Sequence, residues 1–272
     1  DTITVDTVPP TGTISINSGA AYTNSRAVTL NVSCPDAVQM QFCNANGTWS
    51  GWQAYAAAAN WTLSEGDGDK TVYVRFKDAA GNITTETIED EIILDTTAPV
   101  INSVTLTPRM AAVGDAVHAV VDVDDNIMVS GVMANDTPLV RSDENTWTGD
   151  ITAIGPVGIL QNVTIIARDS ADNSSTDSSA AYKSARVVAA STRAAWDGVS
   201  NSACGIYLFK FWGKVTELDE DYFTLSDGSS QPVTVHAPGY KAKAGTGDYV
   251  TARGILGPDG SVESAAEHVI KY

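Results

Sequence analysis

Three histidines, three cysteines, six tryptophans and 33 acidic side chains are the residues of this chain with chemistry to offer. His118, His236 and His268 fall in separate runs, without the serine, aspartate or second histidine neighbours that a triad or zinc site needs. No GxSxG, HExxH, P-loop or dinucleotide fingerprint occurs. The expectation is therefore a non-enzyme, with no catalytic, cofactor-binding or metal-ligating residue assigned and no cofactor. Calcium stays an open question. Asp122, Asp124, Asp125 and Asn126 sit together, and Asp169, Asp172 and Asn173 mark a later turn, but the spacing matches no EF-hand loop. Such residues also shape turns by bonding their own backbone. Cys34 and Cys43 are near in sequence, yet strand alternation sends Cys34 inward and Cys43 outward, which disfavours a bridge. Cys204 is expected to be free or to pair between chains. Trp49, Trp52, Trp61 and Tyr55 would form a sugar platform if exposed and coplanar.

Composition excludes several partners. A net charge of −17 repels phosphate backbones and anionic lipid, so neither nucleic acid nor a membrane surface is expected. No run reaches the length of about 20 apolar residues that spans a bilayer. Asn-x-Ser/Thr sites start at Asn31, Asn46, Asn60, Asn82, Asn135, Asn162 and Asn173, as a chain rich in these residues produces by chance.

The elements that must hold these residues are strands. Val28, Leu30, Val32 and Cys34 alternate, as do Val38, Met40 and Phe42, and Val72, Val74 and Phe76. This period of two suits antiparallel sheets with one buried face. Asn46-Gly47, Asp67-Gly68-Asp69 and Gly81-Asn82 punctuate the runs. The plan then repeats. Asp1–Pro10 falls on Asp90–Pro99, Val117, Ala119, Val121 and Val123 stand where Val28 to Cys34 stood, and Thr146–Gly149 echoes Thr48–Gly51. Asp169-Ser-Ala-Asp-Asn173 likewise echoes Asp78-Ala-Ala-Gly-Asn82. Repetition at domain-sized spacing predicts tandem modules.

The DTTAP linker, the TWSG step and VYVRFKDAAGN together resemble the bacterial immunoglobulin-like repeats of secreted and cell-surface proteins. That resemblance covers about two thirds of the chain. It implies seven-strand sandwiches used as spacers or adhesive units, and it carries over no catalytic residue. The last part differs. Tyr207–Leu218, Tyr222–Ser226, Pro232–Ala237, Tyr249–Leu256 and Val262–Ile270 read as five strands. The succession FKFWGKVTELDEDYFTLSDGS, PVTVHAPGY, GDYVTARGIL resembles an OB-fold barrel. Phe209, Phe211, Trp212, Tyr222 and Phe223 are its candidates for base stacking, but acids outnumber bases there and no cationic groove is expected.

The expected architecture is all-β: two tandem immunoglobulin-like sandwiches and a five-stranded OB-like barrel. Its boundaries are an orphan strand and linker at 1–8, sandwiches at 9–97 and 98–190, a linker at 191–204 and the barrel at 205–272. Trp196 is read as a wedge between domains. The function that follows is that of an extracellular or cell-surface structural protein, a stalk or filament subunit. Its expected partner is protein, through self-association or a longer parent chain, with glycan second. Residues 1–5 cannot be stable as an isolated strand. They close a preceding module, pair with their own first module, or insert into another subunit to build a head-to-tail fibre. The alternative class is a carbohydrate- or protein-binding accessory module of a larger secreted enzyme.

Overall fold

A computed structural model describes residues 5–190, 208–228, 232–242, 244–256 and 261–272, and its regular structure is almost wholly strand. Residues 1–4, Trp196 and Cys204, for which the sequence sets expectations, lie outside the described residues. Two compact units divide the chain. One comprises residues up to Asn102 with Val123–Val132 and Ile166–Thr176; the other comprises Ser103–Asp122, Met133–Ile165 and Asp177–Tyr272.

The first module contains β1 (Thr13–Ile16), β2 (Tyr22–Thr23), β3 (Ala27–Ser33), β4 (Ala37–Asn44), β5 (Gln53–Ala54), β6 (Ala58–Thr62), β7 (Gly68–Asp78) and β8 (Ile88–Leu94). They form one sheet of order β1-β3-β6 and another of order β2-β8-β7-β4-β5. The alternating residues point as their period requires. Val28, Leu30, Val32 and Cys34 from β3 and its end, and Val72, Val74 and Phe76 from β7, are buried between the sheets with Met40, Phe42, Leu63, Ile92 and Leu94. Val38 is a correction. It is 48 % exposed, because the β4–β7 register shifts between Ala37 and Gln39, and the extra residue turns Val38 out while Ala37 turns in. Residues 5–12 carry no strand, and Val5 and Val8 are exposed.

The second set contains β9 (Val100–Thr107), β10 (Met110–Ala112), β11 (Ala116–Asp124), β12 (Val129–Ala134), β13 (Thr137–Pro138), β14 (Val140–Arg141), β15 (Thr146–Thr152), β16 (Leu160–Asn162), β17 (Ile165–Asp169), β18 (Ser174–Asp177) and β19 (Ala181–Ala185). Its sheets run β14-β15-β11-β9, β13-β12-β17-β18 and β10-β19-β16. Val117, Ala119, Val121 and Val123 are fully buried, as their alternation predicts. Asn135 and Asp136 both take positive φ between β12 and β13, the backbone that a two-residue hairpin demands. The echo between Trp49 and Trp147 does not hold in space. Trp147 is a buried member of β15 paired to β11, whereas Trp49 precedes β5 outside any strand. A shared tetrapeptide did not carry a shared register.

The last part is β20 (Val187–Ala190), β21 (Leu208–Leu218), β22 (Tyr222–Ser226), β23 (Val233–His236), a short 3-10 turn at Tyr240–Ala242, β24 (Tyr249–Leu256) and β25 (Val262–Lys271). The order is β20-β21-β22-β23-β25-β24, and an additional β21–β24 ladder closes five of these strands into an OB-like barrel. β20, which sequence analysis placed with the second sandwich, hydrogen-bonds parallel to the start of β21. Phe211, Val215, Phe223, Leu225, Val235 and Val250 fill the barrel. Tyr240 plugs it, its ring 4.8 Å from Phe223 and its hydroxyl donating to the Asp219 carbonyl at 2.6 Å. At Gly254 a Cβ would fall 2.1 Å from the Glu263 carbonyl, so only glycine lets β24 and β25 approach where their register shifts.

Candidate metal centre

Three strand ends in the first compact unit deliver carboxylates to one place. β8 stops at Leu94, and Asp95 follows with its N–H donating to Thr23 O at 2.9 Å. β11 ends at Asp124, and the next residue, Asp125, turns the chain by accepting from the N–H groups of Ile127 and Met128 at 2.9 and 2.8 Å. β17 ends at Asp169, whose Oδ1 accepts from the N–H groups of Ala171 and Asn173 at 2.8 and 2.9 Å. Each aspartate is thus fixed by the turn it makes. Carboxylate oxygens from Asp95, Asp125 and Asp169 all lie within 4.8 Å of one another.

Asn173 clasps the group. Its Nδ2 donates to Asp95 O at 2.8 Å, to Asp169 Oδ2 at 2.7 Å and to Thr97 O at 3.3 Å. Asp67 stands beside it, fully engaged. Its Oδ1 accepts from Thr96 N and Oγ1, and its Oδ2 from Thr97 Oγ1 and Asn126 Nδ2, which hold its carboxyl below the usual range.

The cluster is electrostatically unfinished. Asp95 is completely buried and Asp169 nearly so. Oδ2 of Asp95 and Oδ2 of Asp125 are buried with no hydrogen-bond partner. Burial pushes the Asp95 carboxyl up, and the charges of Asp125, Asp169 and Asp67 push the same way. Two like charges about 4.8 Å apart repel by on the order of 3 kcal/mol at an effective dielectric near 20. Proteins relieve such a cost with a proton or a cation. All donors here are oxygens, from strand ends and the turns after them, without histidine or cysteine, which selects a hard ion. A separation of up to 4.8 Å is also the span of two oxygens facing each other across an ion at about 2.4 Å, within the calcium range and beyond the shorter magnesium bonds.

The Asp122–Asn126 and Asp169–Asn173 groups stand out in the sequence, where none of them is assigned as a ligand. The structure brings Asp125 and Asp169 together, leaves Asp122, Asp124 and Asp172 out of the cluster, and adds Asp95. The missed signal was the repeated Asp-Thr step. Asp6 and Asp95 are repeat partners, as are Asp78 with Asp169 and Asn82 with Asn173. The hydrogen bonds repeat with them: Asn82 Nδ2 donates to Asp6 O at 3.1 Å and to Asp78 Oδ2 at 2.8 Å.

The other candidates resolve separately. His118 bonds Asp150 at 2.7 Å and His236 bonds Glu263 at 2.8 Å, two exposed pairs in different sheets. The four aromatic residues of the expected sugar platform each have a neighbour on the ring. Arg75 lies 4.2 Å over the Trp49 ring and Lys77 4.0 Å over Trp52. Trp61 packs on Phe42 and donates to Asn44 Oδ1 at 2.7 Å, while Tyr55 packs on Phe76 and its hydroxyl accepts from Cys34 N. Cys34 and Cys43 are free thiols, and burial raises the Cys34 pKa. Cys43 is buried despite its outward position, lining a cavity of about 330 Å³ with Trp49 and Tyr73. In the barrel, Phe211 and Phe223 are interior, while Trp212 and Tyr222 are exposed. The side chains of Phe209 and His268 lie outside the described residues. No helix among the described residues is long and apolar enough to cross a membrane.

No family model and no curated protein matches this chain. Among solved structures, it is similar to the fibronectin(III)-like modules of Clostridium thermocellum CbhA, at 14 % identity and TM-score 0.43, over 63 % of this chain and 92 % of that one. It is also similar to the Escherichia coli adhesin FdeC, at 11 % identity and TM-score 0.31, over 81 % and 76 % of the two chains. A tetra-tandem repeat from the extending region of a large adhesion protein aligns at 17 % identity and TM-score 0.24, over 92 % and 64 %. At such identity and overlap, these likenesses carry no statement about function.

Proposed function

We propose that the chain is a non-enzymatic extracellular structural segment, a surface stalk or appendage piece, whose first module is locked to the strand ends that follow it by calcium. The observation that carries this is the buried, unpartnered Oδ2 of Asp95, a residue whose carboxylate gathers with those of Asp125 and Asp169 within 4.8 Å. Asp95, Asp125 and Asp169 are the ligands, and Asn173 and Asp67 hold their backbone in place. A cation that binds only the folded state at a hundred times its Kd adds about 2.7 kcal/mol. Calorimetric titration of chelator-treated protein therefore yields one calcium site in the first compact unit and a higher melting temperature. Asp95→Asn removes both, while magnesium at equal concentration gives a smaller shift. A melting curve indifferent to calcium and chelator alike overturns the reading.

The filament reading rests on Val5 and Val8, exposed in a segment without strand partners. In it, the N-terminal segment adds as a strand to another subunit. Its test is sedimentation and electron microscopy of the full chain beside a chain lacking residues 1–5. Fibres present in both, or in neither, remove it.

A further inference from the structure

The outer face of the barrel carries an apolar surface that the stalk reading does not use. Along β21, Lys210, Trp212 and Lys214 point outward while Phe211 and Val215 point in. Trp212 pairs with Thr251, which pairs with Ile270; in the adjoining row Lys214 pairs with Tyr249, whose carbonyl accepts from Tyr272 N. Trp212, Tyr249, Ile270 and Tyr272 are 54, 50, 54 and 71 % exposed, and together they cover Thr251, which is buried among them. The Trp212 and Tyr249 rings lie 6.1 Å apart, and Tyr272 reaches the Thr251 hydroxyl at 3.4 Å. Unlike Trp49 and Trp52, these rings have no cation stacked on them among the described residues.

Size and charge decide the occupant. Four large side chains of about 150–250 Å² each, half or more exposed, offer roughly 400–500 Å² of accessible surface. A stable contact with a second copy needs about 800 Å² per partner, so protein is too large a ligand for this patch alone. Two consecutive sugar rings match it. Their C–H faces pack on the negative π-faces of aromatic rings, and two rings 6.1 Å apart and tilted by 38° offer one face to each of two units of a twisting chain. Lys210 and Lys214 stand about 7 Å to either side of Trp212 along β21. No carboxylate among the described residues pairs with either lysine, although acids outnumber bases two to one in the whole chain. Lysines without a carboxylate partner among the described residues complement an anionic ligand.

We infer that this face binds an anionic linear polysaccharide, stacking on Trp212 and Tyr249 and paired through its acid groups with Lys210 and Lys214. The test is affinity electrophoresis of the full chain in gels containing polygalacturonate, alginate or dextran sulfate, with methyl-esterified polygalacturonate as the neutral polymer. Retardation is expected in at least one carboxylated gel and not in the ester. W212A/Y249A and K210Q/K214Q should each weaken it at least tenfold; the lysine pair, exposed on the surface, should leave the melting temperature unchanged, and retained cooperative melting shows that the aromatic pair is still folded. Retardation by dextran sulfate alone assigns the site to sulfate. Four results overturn the inference: migration unaltered in all three anionic gels, equal binding to the ester, binding that survives W212A/Y249A, or a dimer that W212A dissolves.

Discussion

Asp95 is asked to be two things at once, a buried group and an acid among acids. Because its carboxyl is raised above the ordinary value of 3.8, chiefly by burial, it contributes stability below that value and loses it as pH rises through the raised one. Calcium-free protein should therefore show a first melting transition that falls as pH climbs through that window. Saturating calcium should abolish the fall, because the ion stabilises the ionised form, and Asp95→Asn should flatten the profile without metal. Melting temperatures across pH, with and without chelator, measure this. Trp52 tests the opposite idea. With Lys77 on its ring, Trp52→Ala should cost about 0.5–1 kcal/mol of stability in urea unfolding and change no glycan binding.

At the scale of elements, alternation made the interior legible. Every residue assigned inward on β3, β7 and β11 is buried, because a period of two leaves no choice once one face meets a core. Phe76→Ala should cost about 3–5 kcal/mol, and Val38→Thr almost nothing, as the bulge predicts. Chemical denaturation of the two variants compares them directly. Val38 was misread because a one-residue insertion in a ladder has no signature in an alternating run. The five barrel strands were legible from their turn signals, while β20 was not, since a parallel partner leaves no hairpin between the two. The metal centre was half legible. Its aspartates could be chosen in a great many triplets in so acidic a chain, and only the fold selects Asp95, Asp125 and Asp169. The hydrogen bonds that recur with the repeat were visible as a repeated Asp and Asn, and not as a site.

For the whole molecule, the two compact units should answer to different perturbations. Calcium acts through carboxylates that all belong to the first unit, whereas Tyr240 and its bond to Asp219 belong to the second. Scanning calorimetry should then separate them: calcium raises one transition, and Tyr240→Phe lowers the other by about 1 kcal/mol. A single transition that both changes shift equally would mean the chain unfolds as one cooperative body.

Asn173 has a chemical lifetime as well as a position. Hydrolysis of a side-chain amide next to a serine converts asparagine to aspartate, and here that change would replace three donated hydrogen bonds with a fourth negative charge. The clasp thereby doubles as a clock: in material aged at neutral pH, peptide mapping that separates Asn173 from the faster Asn46-Gly47 step and the other Asn-Ser steps should find conversion at Asn173 together with lost stability of the first unit.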